Sequence, residues 1–190
     1  MSTYLSHQDP SWHPQAMAAV PGPYPGPMHP HERLIRDFYA AFARRDAEGM
    51  ARCYHEEVFF SDPVFPKLHG EEARDMWRML VSRAADLEVE LEEASAGAEG
   101  GRARWTARYT FTRTGRPVAN RVEALFAFRE GRIARHYDRF SLWRWSAQAL
   151  GPVGRFLGWS APMKWKVRRQ AASQLDRFRE GKGSESFHSK

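Results

Sequence analysis

Three residues have the types and spacing for proton chemistry: Asp62, His136 and Asp138. Asp62 closes a short predicted strand, 58–62, directly before Pro63. A carboxylate at a strand end facing an apolar interior has its pKa raised and can act as a base or an acid. An Asp-Pro pair also initiates turns, so a turn or cap carboxylate is the competing reading. His136 and Asp138 stand two apart on a predicted strand and so project from one face. Turned inward they are a general acid/base pair; turned outward they are solvated neighbours of Arg132. Strict alternation groups them with Ala134 and Phe140, and puts Ile133 with Arg135, Tyr137 and Arg139. The face with the arginines reads as the wet one, which turns His136 and Asp138 inward. Trp77, Trp105, Tyr109, Phe126 and Phe128 can line an apolar cavity or form plain core. Asn120 shares the face of Val122 and can donate to a ligand. His55 and His69 fall in loops with nothing joining them at metal-ligand spacing, so no metal site is expected.

The elements that must position these groups follow from periodicity. Leu34, Ile35, Phe38 and Phe42 trace one helical face, predicting a helix over 31–45. Met50 and Tyr54 are four apart on a second helix, 47–54. Gly70 opens a third, in which Ala73, Met76, Trp77, Leu80, Val81 and Ala84 keep the period. The period then switches to two. Strands are expected through Leu87–Leu91, Trp105–Phe111, 119–129 and 132–141, with turns at Gly97–Gly101, Thr114–Pro117 and Glu130-Gly131. Three helices followed by a meander is an α+β pattern, with helices packed on one face of an antiparallel sheet.

Composition sets the outer limits. The chain has 190 residues, 42% of them hydrophobic, enough for a sizeable core. Apolar runs are too short for a transmembrane helix, and no basic-then-apolar leader opens the chain, so a cytoplasmic protein is expected. The single cysteine, Cys53, excludes an internal disulfide. No glycine-rich phosphate loop is present. The net charge of +6 is not spread evenly: residues 1–141 sum to −1 and residues 142–182 to +7. The body is therefore not read as a nucleic-acid binder. Seven of the twelve prolines fall in residues 1–30, which reads as a disordered arm. Residues 31–141 read as the pocket domain, 142–182 as a basic, Trp-rich helical extension with a helix near 162–179, and 183–190 as a frayed tail. Tryptophan, leucine, phenylalanine, lysine and arginine together suit a flap over the sheet, a dimer contact or a membrane-interfacial helix.

The stretches LIRDFYAAFARRDAEGMARCYHEEVFFSDP, HGEEARDMW, FAFREGRIARHYDRFSLWRW and QALG resemble a SnoaL-like member of the nuclear transport factor 2-like superfamily. The resemblance covers about 31–150. It implies a cone-shaped, cystatin-like α+β fold, with three N-terminal helices on a curved, mainly antiparallel sheet around a pocket. Within that superfamily, Asp62 matches the general base of ketosteroid isomerase, in the same Asp-Pro context. The isomerase tyrosine that binds the enolate oxygen falls on Phe38, with Tyr39 turned about 100° away around the helix. Its protonated acid falls on Ala124, so both oxyanion donors are missing. Asp138 matches one carboxylate of limonene-epoxide hydrolase, whose Arg and second Asp fall on Trp105 and Ala107. His136 with Asp138 is most similar to the polyketide-cyclase pattern, in which a strand carboxylate is the base of an aldol ring closure.

The resemblance implies a small, largely apolar organic ligand, with Phe38, Trp77, Trp105, Tyr109, Asn120 and Phe126 as its binding residues. Asp62, Asp138 and His136 are then the candidate catalytic groups of a cofactor-independent isomerase, cyclase or hydrolase. The alternative is a non-catalytic ligand-binding or dimerisation module with a membrane-surface tail. A homodimer, no nucleic-acid partner, no metal and a peripheral membrane contact through residues 142–182 complete the expectation.

Overall fold

The computed structural model describes residues 28–83, 85–158 and 160–187, with side chains through Lys182. The Pro-rich arm up to residue 27, Ala84, Trp159 and residues 188–190 lie outside the described residues. Helix α1 (Pro30–Ala43) starts on Pro30, whose fixed φ suits the first turn. It buries Ile35, Phe38, Tyr39 and Phe42 on one stripe. Helix α2 (Ala47–Cys53) is capped by Asp46, whose carboxylate accepts from the Gly49 amide at 2.7 Å. Strands β1 (Tyr54–Ser61) and β2 (Leu68–His69) precede helix α3 (Gly70–Arg83), and β3 (Glu88–Ala96), β4 (Gly101–Phe111), β5 (Arg116–Arg129) and β6 (Arg132–Arg139) follow.

The six strands form one curved sheet in the order β2-β1-β6-β5-β4-β3. All pairs are antiparallel except β1 with β6, which run parallel. The tight β5–β6 turn requires left-handed backbone at both Glu130 (φ 53°) and Gly131 (φ 71°). Three helices on a mainly antiparallel sheet give the α+β class expected from the periodicity, with β1 and β2 falling between α2 and α3. Tyr54 differs: it opens β1 rather than closing α2. Ile133 differs too. A bulge leaves Ala134 without a partner between Ala127↔Arg135 and Phe128↔Ile133. One extra residue resets the alternation, so Ile133 is fully buried in the core rather than sharing the arginine face.

The extension folds into α4 (Leu142–Leu150), α5 (Pro152–Leu157) and α6 (Ala161–Phe187). The helix expected near 162–179 thus continues, as backbone, into the segment read as frayed. Helix α6 lies against α3. Arg179 Nε and Lys182 Nζ reach the buried Asp75 carboxylate at 3.4 and 2.8 Å, and Leu175 enters the core. Helix α5 sits tightly on α4: a Cβ at Gly154 would lie 1.8 Å from the Ser146 carbonyl oxygen. Gly154→Val is expected to unseat α5. The measurement is hydrogen exchange, with protection lost over 142–158 and retained in the sheet.

Candidate functional site

The parallel β1–β6 pair assembles the site. Phe60 is in register with His136 and Ser61 with Tyr137, so Asp62 and Asp138 are the next residues on two neighbouring strands. Both line one cavity of about 500 Å³, bounded by the sheet, α3 and the extension. Its walls include Phe42, Met76, Trp77, Trp105, Tyr109 and Phe140.

His136 is fully buried and ringed by aromatic side chains. Its ring centroid lies 4.5 Å from that of Phe126, 5.2 Å from Phe60 and 5.4 Å from Phe38. Its Nε2 is 3.0 Å from Asp138 Oδ1, and its Nδ1 is 2.7 Å from the Tyr54 hydroxyl. Trp77 Nε1 donates to that same hydroxyl at 2.8 Å. An indole N–H can only donate. The Tyr54 oxygen therefore accepts from Trp77 and directs its own proton to His136 Nδ1. Burial holds the Tyr54 phenol well above its ordinary pKa, so that proton is retained. Nδ1 is then the acceptor, and the protonated Nε2 donates to Asp138. This assignment gives every proton of the network an acceptor, and it leaves Asp138 Oδ1 as the acceptor of the His136 proton. Asp138 is 6% exposed.

Asp62 serves both readings at once. Its Oδ1 accepts from the backbone amides of Val64 (2.6 Å) and Phe65 (2.5 Å), and its own amide donates to Phe65 O at 2.9 Å. That is an Asp-Pro turn. Yet the half-buried side chain also lines the cavity. Burial pushes its carboxyl up to about 7; the Phe65 and Val64 amides oppose the rise, the Asp138 charge adds to it, and Arg168 opposes it. The cavity thus holds one carboxyl that keeps its proton up to about neutral pH beside a second that accepts from His136. Two carboxyls whose surroundings differ in this way can divide into an acid and a base.

Trp77, Trp105, Tyr109 and Asn120 line the cavity, and Phe38 and Phe126 do not. Both are fully buried and packed on His136, where their rings fill the core between the helices and the sheet. Phe128 stacks on His31 instead. Tyr39 is buried with no hydrogen-bond partner for its hydroxyl and does not line the cavity, so it does not replace the oxyanion tyrosine missing at Phe38. Tyr54 was hidden by its position: four residues after Met50, it reads as the end of a helical face. The extension also contributes walls: Trp145, Leu150, Val153, Met163, Val167 and Ala171. Trp145 Nε1 donates to the Tyr109 hydroxyl at 2.8 Å. Helix α6 is tied across the opening by Arg83 to Gln174 (2.8 Å), Arg113 to Gln170, and Arg168 Nε to the Pro63 carbonyl at 2.9 Å. Arg168 thus grips the turn that carries Asp62. Among the described residues, no three His, Cys, Asp or Glu side chains cluster to hold a metal ion, and no helix is long and apolar enough to cross a membrane.

The family profile described as SnoaL-like domain matches residues 35–136, 102 of the 190 residues. The chain is similar in structure to a nuclear transport factor 2-like protein of unknown function from Burkholderia pseudomallei, at 21% identity and a TM-score of 0.52, covering 60% of this chain and 92% of that one. A putative polyketide cyclase from Xanthomonas campestris shares 22% identity and a TM-score of 0.53, over 63% and 96%. An epoxide hydrolase of the limonene-epoxide hydrolase type from M. tuberculosis shares 16% and a TM-score of 0.54, over 69% and 97%. At these identities the likeness is one of fold. No curated protein sequence matches the chain.

Two outcomes follow from this geometry. Asp62 is protonated in the fold up to about pH 7 and ionised from about pH 4 when unfolded, so its contribution to stability is full below about 4, falls as pH rises towards 7, and is flat above. Asp62→Asn keeps the turn acceptor without the charge. Urea unfolding should find it about as stable as the parent at pH 4, and roughly 1–3 kcal/mol more stable at pH 8. Tyr54→Phe leaves Trp77 Nε1 and His136 Nδ1 unpaired in the core; the same measurement should show a loss of about 1–3 kcal/mol at pH 7.

Proposed function

The chain belongs to the SnoaL-like domain family, and on that premise we propose that it binds a small, largely apolar ligand carrying a carbonyl group and moves a proton on it. The observation that carries the reading is the pairing of Asp62, its carboxyl at about 7, with the His136-bound Asp138 in one cavity. The apolar walls select the ligand body, and the Asn120 amide adds a donor along the wall.

The roles follow from what each oxygen already does. Asp62 Oδ1 is occupied by two amides, so its proton sits on Oδ2 and is offered to the ligand carbonyl oxygen. Asp138 Oδ1 is occupied by His136, so Oδ2 takes a proton from the carbon next to that carbonyl. One proton leaves carbon for Asp138 while the Asp62 proton moves onto oxygen, giving an enol. The pocket carries one negative charge before and after. Returning the proton to another carbon is an isomerisation; attack of the enol on a second carbonyl of the same ligand is a ring closure. A positioned acid or base typically contributes about 10²–10⁴ in rate. The isomerase resemblance makes Asp62 the base; the raised carboxyl and the anionic Asp138 support the reverse division. A carrier that only retains its ligand is the second reading, supported by helix α6 tied across the opening.

The test is deuterium uptake at the α-carbon of a panel of apolar ketones in D₂O, followed by NMR, with ligand affinity measured alongside. Uptake should fall about 10²–10⁴-fold in Asp62→Asn and in Asp138→Asn, with affinity changing less than about tenfold. In the parent it should fall as pH rises through about 7. A rate that instead rises through 7 makes Asp62 the base. Tight binding with no uptake in any protein supports the carrier.

A further inference from the structure

Between Asp138 and Asp176 the chain has seven lysines and arginines and not one acidic residue. This stretch builds α4, α5 and the first half of α6, the elements around the cavity opening. Exposed lining residues mark that opening, among them Leu80, Arg83, Thr112, Arg113, Val153 and Lys166.

Helix α5 presents an apolar face there. Val153, Phe156 and Leu157 recur at i, i+3 and i+4, and are 56%, 71% and 51% exposed. Gly154 fixes how α5 is seated. Its lack of a side chain lets α5 seat directly on the Ser146 carbonyl, and in that seating Val153, Phe156 and Leu157 stay exposed. Exposed Trp143 joins the same corner, its Nε1 donating to the Arg155 carbonyl at 3.0 Å. Val153 belongs both to this face and to the cavity wall. Cations ring the corner. Arg155 lies on α5, Arg116 packs within 3.4 Å of where a Gly151 side chain would begin, and Arg113 and Lys166 stand on the rim. None of these four forms an ion pair with a carboxylate among the described residues.

We propose that this corner docks the cavity mouth onto an anionic lipid surface. Val153, Phe156, Leu157 and Trp143 enter the headgroup layer, and Arg113, Arg116, Arg155 and Lys166 meet the lipid phosphates. Aromatic and aliphatic groups flanked by arginine and lysine are the composition that a bilayer interface rewards. A second copy of the chain fits the face poorly, because a two-fold contact would bring two basic stretches together. An apolar ligand can then pass between the bilayer and the cavity along Val153 without crossing water.

The experiment is flotation of the full chain with vesicles of phosphatidylcholine alone, or of phosphatidylcholine with about one third phosphatidylglycerol. The chain should float with the anionic vesicles, at least about tenfold less with the neutral ones, and less again at high salt. Phe156→Ser combined with Leu157→Ser should cut flotation about tenfold or more, as should Arg155→Glu combined with Arg116→Glu, each with an unchanged circular dichroism spectrum. The proposal is overturned if the chain ignores anionic vesicles, or if both double variants float like the parent. It is equally overturned if light scattering finds a dimer that the Phe156/Leu157 variant dissolves while neither protein floats; the face is then a contact between copies.

Discussion

A fully buried histidine is the constraint on which the interior depends. An imidazole without water must have both nitrogens matched, and here each has a single partner: Tyr54 on one side and Asp138 on the other. Trp77, by donating to Tyr54, fixes the direction of every proton in the chain. The aromatic rings of Phe38, Phe60 and Phe126 close the remaining sides. Helix α1, helix α3 and strands β1, β5 and β6 all meet at this one ring, so the fold and the charge of Asp138 are set together.

The second carboxylate gains its character from the same arrangement. Asp62 is a turn residue first, with two backbone amides on one oxygen. Those amides favour its ionised form, but burial and the neighbouring Asp138 charge outweigh them. A residue that stabilises a turn thereby also carries a raised carboxyl beside an apolar cavity. The two amides occupy Oδ1 alone, so in the proposed chemistry the turn and the proton use different oxygens.

The extension changes what the pocket is. Without α4 to α6, the cavity would lack the walls supplied by Trp145, Leu150, Val153, Met163, Val167 and Ala171. With them, the opening is narrowed to a rim that is apolar on α5 and cationic around it. Arg168 connects this cover to the Asp62 turn, because it bonds the carbonyl of Pro63. The cavity opening, the position of the turn and the electrostatics of Asp62 are linked through one helix.

Local patterns in the chain were enough for the helices α1 to α3, for five of the six strands and for the inward turn of His136 and Asp138, because periods of 3.6 and 2 are properties of neighbouring residues. The Asp-Pro turn was legible for the same reason. The pairing of Asp62 with Asp138 was not. It depends on a parallel register between strands more than seventy residues apart, which no local period encodes. The bulge at Ala134 and the roles of Tyr54 and Trp77 escaped for a related reason: alternation fails where a strand gains a residue, and a hydroxyl's partner is chosen by packing. Phe38 and Phe126 were legible as buried, but whether a buried ring faces a cavity or stands behind it is decided only when the layers come together. The sequence by itself determined which faces are apolar and which residues can carry a proton; the tertiary structure decided which of them share one cavity, and with which charge.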